Sequence, residues 1–147
     1  MTESDLIALA RRAAANAHAP YSRFAVGAAL LMADGSTVTG ANVENASYGL
    51  SLCAETVAVA TASAAGRLAD IVAVAVIGGP MDEAGRPTGT HPVSPCGRCR
   101  QVLNEAAQMA GRDLPVHCGA AEGDSVHTYR LSDLLPNAFG PKDLGIA

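Results

Sequence analysis

The sequence predicts a three-layer α/β/α sandwich around a mixed sheet of about five strands. Three observations lead there. The apolar run Phe24–Met32 is followed by Asp34-Gly35 and a second extended stretch, the signature of a β-hairpin. The segment Ile71–Ile77 is apolar on both faces, as a central strand covered from two sides must be. Segments with helical spacing alternate with these strands, so helices have to cover both faces of one sheet. The hairpin makes that sheet mixed rather than all-parallel.

In chain order, the first helix covers Asp5 to Ala17, with Thr2 or Ser4 as cap and Leu6, Leu9, Ala10, Ala13, Ala14 and Ala17 at helical spacing. Pro20 stops it. The hairpin strands follow, the second from Ser36 to Asn42. Val43 to Leu52 has no clean period and reads as a loop. A second helix starts near Cys53 and runs through Thr56–Ala62 to a stop at Gly66. After Ile71–Ile77, the Gly- and Pro-rich stretch Gly78–Ser94 reads as an exposed loop. Pro95, placed at the first helical position, opens a third helix through Val102, Leu103, Ala106, Ala107 and Ala110 to Gly111. Leu114–Cys118 and Val126–Leu131 read as short strands, and Ser132–Leu135 as a helical turn ended by Pro136. There is no internal repeat.

A chain of 147 residues is expected to be one domain, spanning residues 1–147, with a core of its own. It is 49% apolar but only 3% aromatic. Its core must therefore be built from Ala and Val, with elements approaching closely and room for packing against further copies. The net charge is −4 and no run of Lys or Arg occurs, which weighs against a nucleic-acid ligand. No apolar run reaches membrane-spanning length, and Met1–Asp5 does not read as a signal peptide. Four cysteines in such a chain favour reduced thiols and metal binding. The expectation is a cytoplasmic protein with no membrane partner.

The chemistry lies in Cys53-Ala54-Glu55 and Pro95-Cys96-Gly97-Arg98-Cys99. Cys96 and Cys99, three apart, present their sulfurs to one side of a helical turn. Cys53 adds a third ligand, and Glu55 can reach past a metal without binding it. Both pieces fall at predicted helix starts, where free N–H groups and the helix dipole favour thiolate, the form zinc takes. Three protein ligands leave the fourth position of Zn2+ open, as in catalytic sites, where water has its pKa lowered to roughly 7. Glu55 then handles the proton of that water in hydrolytic attack on an amidine-like carbon. Two blander readings compete. Cys96 and Cys99 alone would suit a redox pair, and a structural zinc site would take a fourth ligand from His117 or Cys118. His18, His91 and His127 read as ordinary surface residues.

Cys-x-Glu followed by Pro-Cys-x-x-Cys is a signature of zinc-dependent nucleobase deaminases. More specifically, the chain resembles the small, homotetrameric cytidine deaminases over nearly its whole length. The resemblance is carried by Ala19–Ala29, Asn42–Gly49, the two cysteine motifs with Gln101-Val102-Leu103, and Leu134–Gly140, in that order. It implies hydrolytic deamination of cytidine and 2′-deoxycytidine to the uridine forms, with one Zn2+ per subunit on Cys53, Cys96 and Cys99 and Glu55 as proton carrier. It implies that Asn42 and Glu44 hydrogen-bond the ribose, that Phe24 packs on the pyrimidine, and that backbone near Ala54 and Ser94 reads the base. It also implies a homotetramer in which Ala46 and Tyr48 from one neighbour and Phe139 from another complete each site. Four of the five aromatics, Tyr21, Phe24, Tyr48 and Phe139, lie in the matched stretches.

Two alternatives differ in substrate or in class. One is deamination of blasticidin S or an N4-modified cytidine, whose enzymes lack the Asn-Val-Glu-Asn pattern of residues 42–45. The other is a non-catalytic, zinc-stabilised interaction module with a closed four-ligand site. The chain departs from the family at Thr56, where many relatives carry an Arg that offsets thiolate charge. Either another cation compensates, with Arg98 and Arg100 as candidates, or the metal is less electrophilic. The Gly78–Ser94 loop is also longer than usual for the type.

Overall fold

A computed structural model describes residues 1–147. Its elements are α1 (Glu3–Ala14), β1 (Phe24–Met32), β2 (Thr37–Ala41), α2 (Ala54–Ala64), β3 (Ile71–Pro80), α3 (Gly97–Ala110), β4 (Pro115–Gly119), β5 (Val126–Arg130) and the short α4 (Leu131–Leu134), with single 3-10 turns at Tyr48–Leu50, Leu68–Asp70 and Pro141–Leu144. The strands form one sheet in the order β2-β1-β3-β4-β5. β3 and β4 run parallel and every other neighbouring pair is antiparallel, so the sheet is mixed as expected.

Strand alternation decides which helix covers which face. Ala29 of β1 and Ala73, Ala75 and Ile77 of β3 pack with Leu6, Ile7, Ala10 and Ala14 of α1. Ala28, Leu30 and Met32 of β1, with Val74 and Val76 of β3, pack on the opposite side against Ala54, Ala58 and Ala62 of α2 and Leu103, Ala106 and Ala107 of α3. One helix on one face and two on the other make the three layers.

The small-residue composition acts here. A Cβ on Gly27 would collide with the Ala10 carbonyl oxygen and lie 2.7 Å from the Ala14 nitrogen, so α1 sits directly on β1. A Cβ on Gly40 would lie 2.5 Å from the Ala54 carbonyl oxygen and 2.6 Å from the Ala58 nitrogen, so α2 sits directly on β2. Bulkier residues would lift both helices off the sheet.

The element boundaries differ from expectation for identifiable reasons. α1 starts two residues early because Thr2 caps it in a reciprocal box with Asp5, Oγ1 accepting from the Asp5 N–H at 3.2 Å while Asp5 accepts from the Thr2 N–H at 2.8 Å. Pro95 is not the first helical residue. Cys96 is the N-cap and α3 begins at Gly97. β3 runs on through Gly78, Gly79 and Pro80, which pair with Val26, Ala25 and Phe24. Those glycines are strand positions where something comes close. A Cβ on Gly78 would lie 3.1 Å from the Phe24 ring, and one on Gly79 would strike the Thr88 carbonyl oxygen. The rest of the expected loop is partly ordered as a turn. Met81 bridges to Pro87, and Asp82 Oδ1 accepts from the Ala84 and Arg86 N–H groups at 2.9 Å each.

Gly27→Val should lower the unfolding free energy, read from denaturant titration, by about 1–3 kcal/mol, whereas Gly49→Ala, with open space around it, should stay within about 0.5 kcal/mol. Asp113 joins the start of β4 to α4 by accepting from the Ser132 N–H at 3.1 Å and from its hydroxyl. Burial pushes its carboxyl up, but those bonds and the Leu114 N–H outweigh it and hold the pKa below the ordinary 3.8. A depressed folded-state pKa contributes stability that is present above 3.8 and lost as pH falls through the folded value. Asp113→Asn should therefore flatten the acid limb of the stability curve and leave stability least changed below pH about 2.

Candidate active site

Two helix N-termini meet beside β1 and β3 and carry the cysteines. Cys53 is the N-cap of α2, Cys96 is the N-cap of α3, and Cys99 lies in the first turn of α3. The entry to α2 is fixed by a bridge in which Val43 and Leu52 exchange N–H bonds of 3.0 and 2.8 Å. The entry to α3 is fixed by the Val93 N–H on the Gly119 carbonyl, at 3.0 Å, and by Arg100, whose guanidinium donates to the carbonyls of Pro95 at 2.8 Å and Leu134 at 3.0 Å.

The three sulfurs lie within 4.8 Å of one another, with Cys53 and Cys96 Sγ 3.8 Å apart. Tetrahedral zinc with 2.3 Å bonds to sulfur sets its ligands about 3.8 Å from each other, so this donor set fits the ion. Neither proposed fourth ligand joins the cluster. Cys118 is buried in β4, and His117 Nδ1 is 2.8 Å from Thr128 Oγ1 and 3.7 Å from Glu3. The closed four-ligand reading thus has no geometric support.

The thiols are not uniformly favoured as thiolates, contrary to the expectation from helix termini alone. For Cys96, burial raises the pKa, but hydrogen bonds from the Cys99 backbone, the neighbouring thiols and the Arg98 N–H bring it below its ordinary value. Burial pushes Cys53 up, and it pushes Cys99 up further, with the charge of Glu55 adding to it. Sulfurs that crowd one another's charge suit a divalent cation, which inverts the local preference and stabilises all three thiolates. Thr56 Oγ1 lies 3.6 Å from Cys99 Sγ. Arg98 is exposed, and Arg100 is engaged with two backbone carbonyls.

Glu55 is 3% exposed, and burial pushes its carboxyl above the ordinary carboxylate range. A carboxyl in that state readily takes up and returns a proton. It opens with Cys53, Ala54 and Cys96 onto a cleft of about 250 Å³ whose walls include Phe24, Val26, Asn42, Glu44, Leu52 and Val93. Ser94 also lines it.

Asn42 and Glu44 are in the cleft, but both are already committed to backbone. Asn42 Oδ1 accepts from the Val26 N–H and its Nδ2 donates to the Phe24 carbonyl, each at 2.9 Å. Glu44 Oε1 accepts from the N–H groups of Tyr21 and Ser22 at 3.0 Å each, and Oε2 accepts from the Ser22 hydroxyl. Burial raises the Glu44 pKa, yet these bonds together hold it below its ordinary value, so the carboxylate is ionised. An amide has two donors and two acceptor lone pairs, and a carboxylate about four acceptor positions, so both retain capacity toward a ligand.

Other expected site residues lie elsewhere on the chain. Tyr48 is 73% exposed and rests against Tyr21, with ring centroids 5.5 Å apart. Ala46 is exposed beside it, and Phe139 is 63% exposed in the C-terminal segment. None of these three lines the cleft. Ser51, Leu52, Val76 and Val93 do, and sequence reading did not single them out. Leu52 alone left a signal, because it directly precedes the metal motif.

Residues 1–110 match the profile of the cytidine and deoxycytidylate deaminase zinc-binding region. The chain is 45% identical to a cytidine deaminase of Halalkalibacterium halodurans over 98% of both chains. It is 46% identical to one of Mycobacterium tuberculosis, over 92% of this chain and 87% of that one. Its fold superposes on a crystal structure of cytidine deaminase from Burkholderia pseudomallei with a TM-score of 0.80 and 44% identity, covering 95% of this chain and all of the other. The two cysteine motifs of the matched region form the three-sulfur cluster, and the chain belongs to the cytidine and deoxycytidylate deaminase family.

Proposed function

We propose that the chain is a zinc-dependent deaminase that converts cytidine and 2′-deoxycytidine to uridine and 2′-deoxyuridine. Water adds at C4 of the base, the C4–N4 bond breaks, and ammonia leaves. The observation that carries this reading is a buried carboxyl, Glu55, beside a three-sulfur cluster that opens onto a cleft lined by Phe24, Asn42 and Glu44.

Cys53, Cys96 and Cys99 would hold a zinc ion, which would supply the Lewis acidity that lowers the pKa of water to roughly 7. Glu55 takes the proton from the attacking water and delivers it to the departing nitrogen, and its raised pKa suits both steps. The first-turn N–H groups of α2 have no intrahelical carbonyl partner, and Ala54 lines the cleft, where such donors suit the base carbonyl. Asn42 and Glu44 bond the ribose hydroxyls with their remaining donor and acceptor positions. Phe24, whose ring edges the cleft and is 37% exposed, packs on the pyrimidine.

The exposed aromatics fit assembly. Tyr48, Leu50 and Leu52 leave an apolar surface beside the cleft, and Phe139, Leu144 and Ile146 leave another near the C-terminus. A homotetramer in which Ala46 and Tyr48 of one copy and Phe139 of another close each site accounts for both. Neither deamination of a different cytosine nucleoside nor a purely structural zinc module is favoured. Full-length similarity is to proteins named cytidine deaminase, and a module would have no use for Glu55 buried beside the cluster.

Glu55→Gln should keep its zinc and lose at least about a hundredfold in turnover of cytidine, read as uridine or ammonia released. Retained turnover would remove Glu55 from the mechanism. Phe139→Ala should raise KM for cytidine by about tenfold while kcat changes less, in a protein that still sediments as a tetramer. An unchanged KM would place Phe139 outside the site.

A further inference from the structure

Thr56 follows Glu55 directly in α2, and its hydroxyl has an unusual partner. A threonine within a helix ordinarily satisfies its hydroxyl on the carbonyl four residues back. Thr61, in the same helix, does this, donating to the Val57 carbonyl at 2.8 Å. For Thr56 the carbonyl four residues back belongs to Leu52, which precedes the helix and already accepts from the Val43 N–H at 3.0 Å. The Thr56 hydroxyl lies instead 3.6 Å from the sulfur of Cys99, within the range of an O–H···S bond.

The direction of that bond follows from the ligand state. A cysteine that holds a metal has no proton to give, so the hydroxyl must be the donor. Cys99 is fully buried, and the Thr56 hydroxyl beside it is a donor that brings no charge and takes no part in moving the proton that Glu55 carries. The nearby arginines do not substitute, because Arg98 is exposed and Arg100 is engaged by the Pro95 and Leu134 carbonyls.

We propose that Thr56 is a positioning residue for the metal centre, donating its hydroxyl to Cys99 Sγ and so fixing that sulfur and drawing charge from it. A centre with three thiolates carries one more negative than positive charge. A hydrogen bond on one sulfur weakens its donation and preserves Lewis acidity without placing a cation in the cleft. The proposal rests on the zinc reading above.

Cobalt(II)-loaded protein tests it without any turnover, since the thiolate-to-cobalt band in the near ultraviolet reports electron donation by sulfur. Thr56→Val, which keeps the shape and removes the hydroxyl, should move this band to lower energy. The same variant should lose zinc about tenfold more readily to a competing chelator. Thr56→Ser should restore both readouts, and Thr61→Val should alter neither. A Thr56→Val protein that matches the wild type in band and zinc retention overturns the proposal and leaves the zinc reading intact. A wild-type protein with no thiolate-to-cobalt band overturns the three-sulfur reading and this proposal with it.

Discussion

Everything at the site depends on how closely α2 can lie on the sheet. Gly40 of β2 has no Cβ where the Ala54 carbonyl and the Ala58 nitrogen approach, and this lets the start of α2 settle beside the start of α3. The N-caps of the two helices, Cys53 and Cys96, then come within 3.8 Å at their sulfurs. A helix raised by even one methyl group would carry Cys53 and Glu55 away from Cys96 and Cys99, since packed layers do not absorb such a shift locally. The scarcity of large side chains is therefore part of the chemistry. A metal site joining two helices from separate parts of the chain needs those helices set at fixed height, and alanines and glycines set it.

The part of the cleft lined by Phe24, Asn42 and Glu44 is built on a different principle. Asn42 and Glu44 hold the Tyr21–Phe24 segment through backbone hydrogen bonds, and Gly78 leaves room for the Phe24 ring. The same two side chains proposed to bind ribose thus fix the aromatic proposed to pack on the base. Ligand hydroxyls would meet groups whose rotamers are already held, which reduces the ordering cost of binding. A change at either residue acts on position as well as on direct contact.

Much of this was legible in the sequence, and the limits were physical. The hairpin at Asp34-Gly35, the two-faced strand from Ile71 and the cysteine spacing each encode their structure within a few residues, so they were readable locally. The end of β3 was not. Gly78 and Gly79 carry the composition of a loop, and only pairing with Val26 and Ala25, far earlier in the chain, makes them strand. Pro95 was misplaced by two positions because the capping residue is a cysteine, which is not among the residue types that mark a helix start in a sequence. The ionisation of the thiols was legible only in part. Helix termini favour thiolate, but burial and crowding of like charge are properties of the assembled site. The backbone bonds of Asn42 and Glu44 were equally invisible before Phe24 and Tyr21 were placed beside them.

Metal content per chain tests the central claim most directly, that two helix N-termini hold one zinc through three sulfurs. Protein purified under reducing conditions should carry one zinc per chain, Cys118→Ser should carry the same, and Cys53→Ser should carry essentially none. Zinc retained at full occupancy without Cys53, or lost with Cys118, would contradict it.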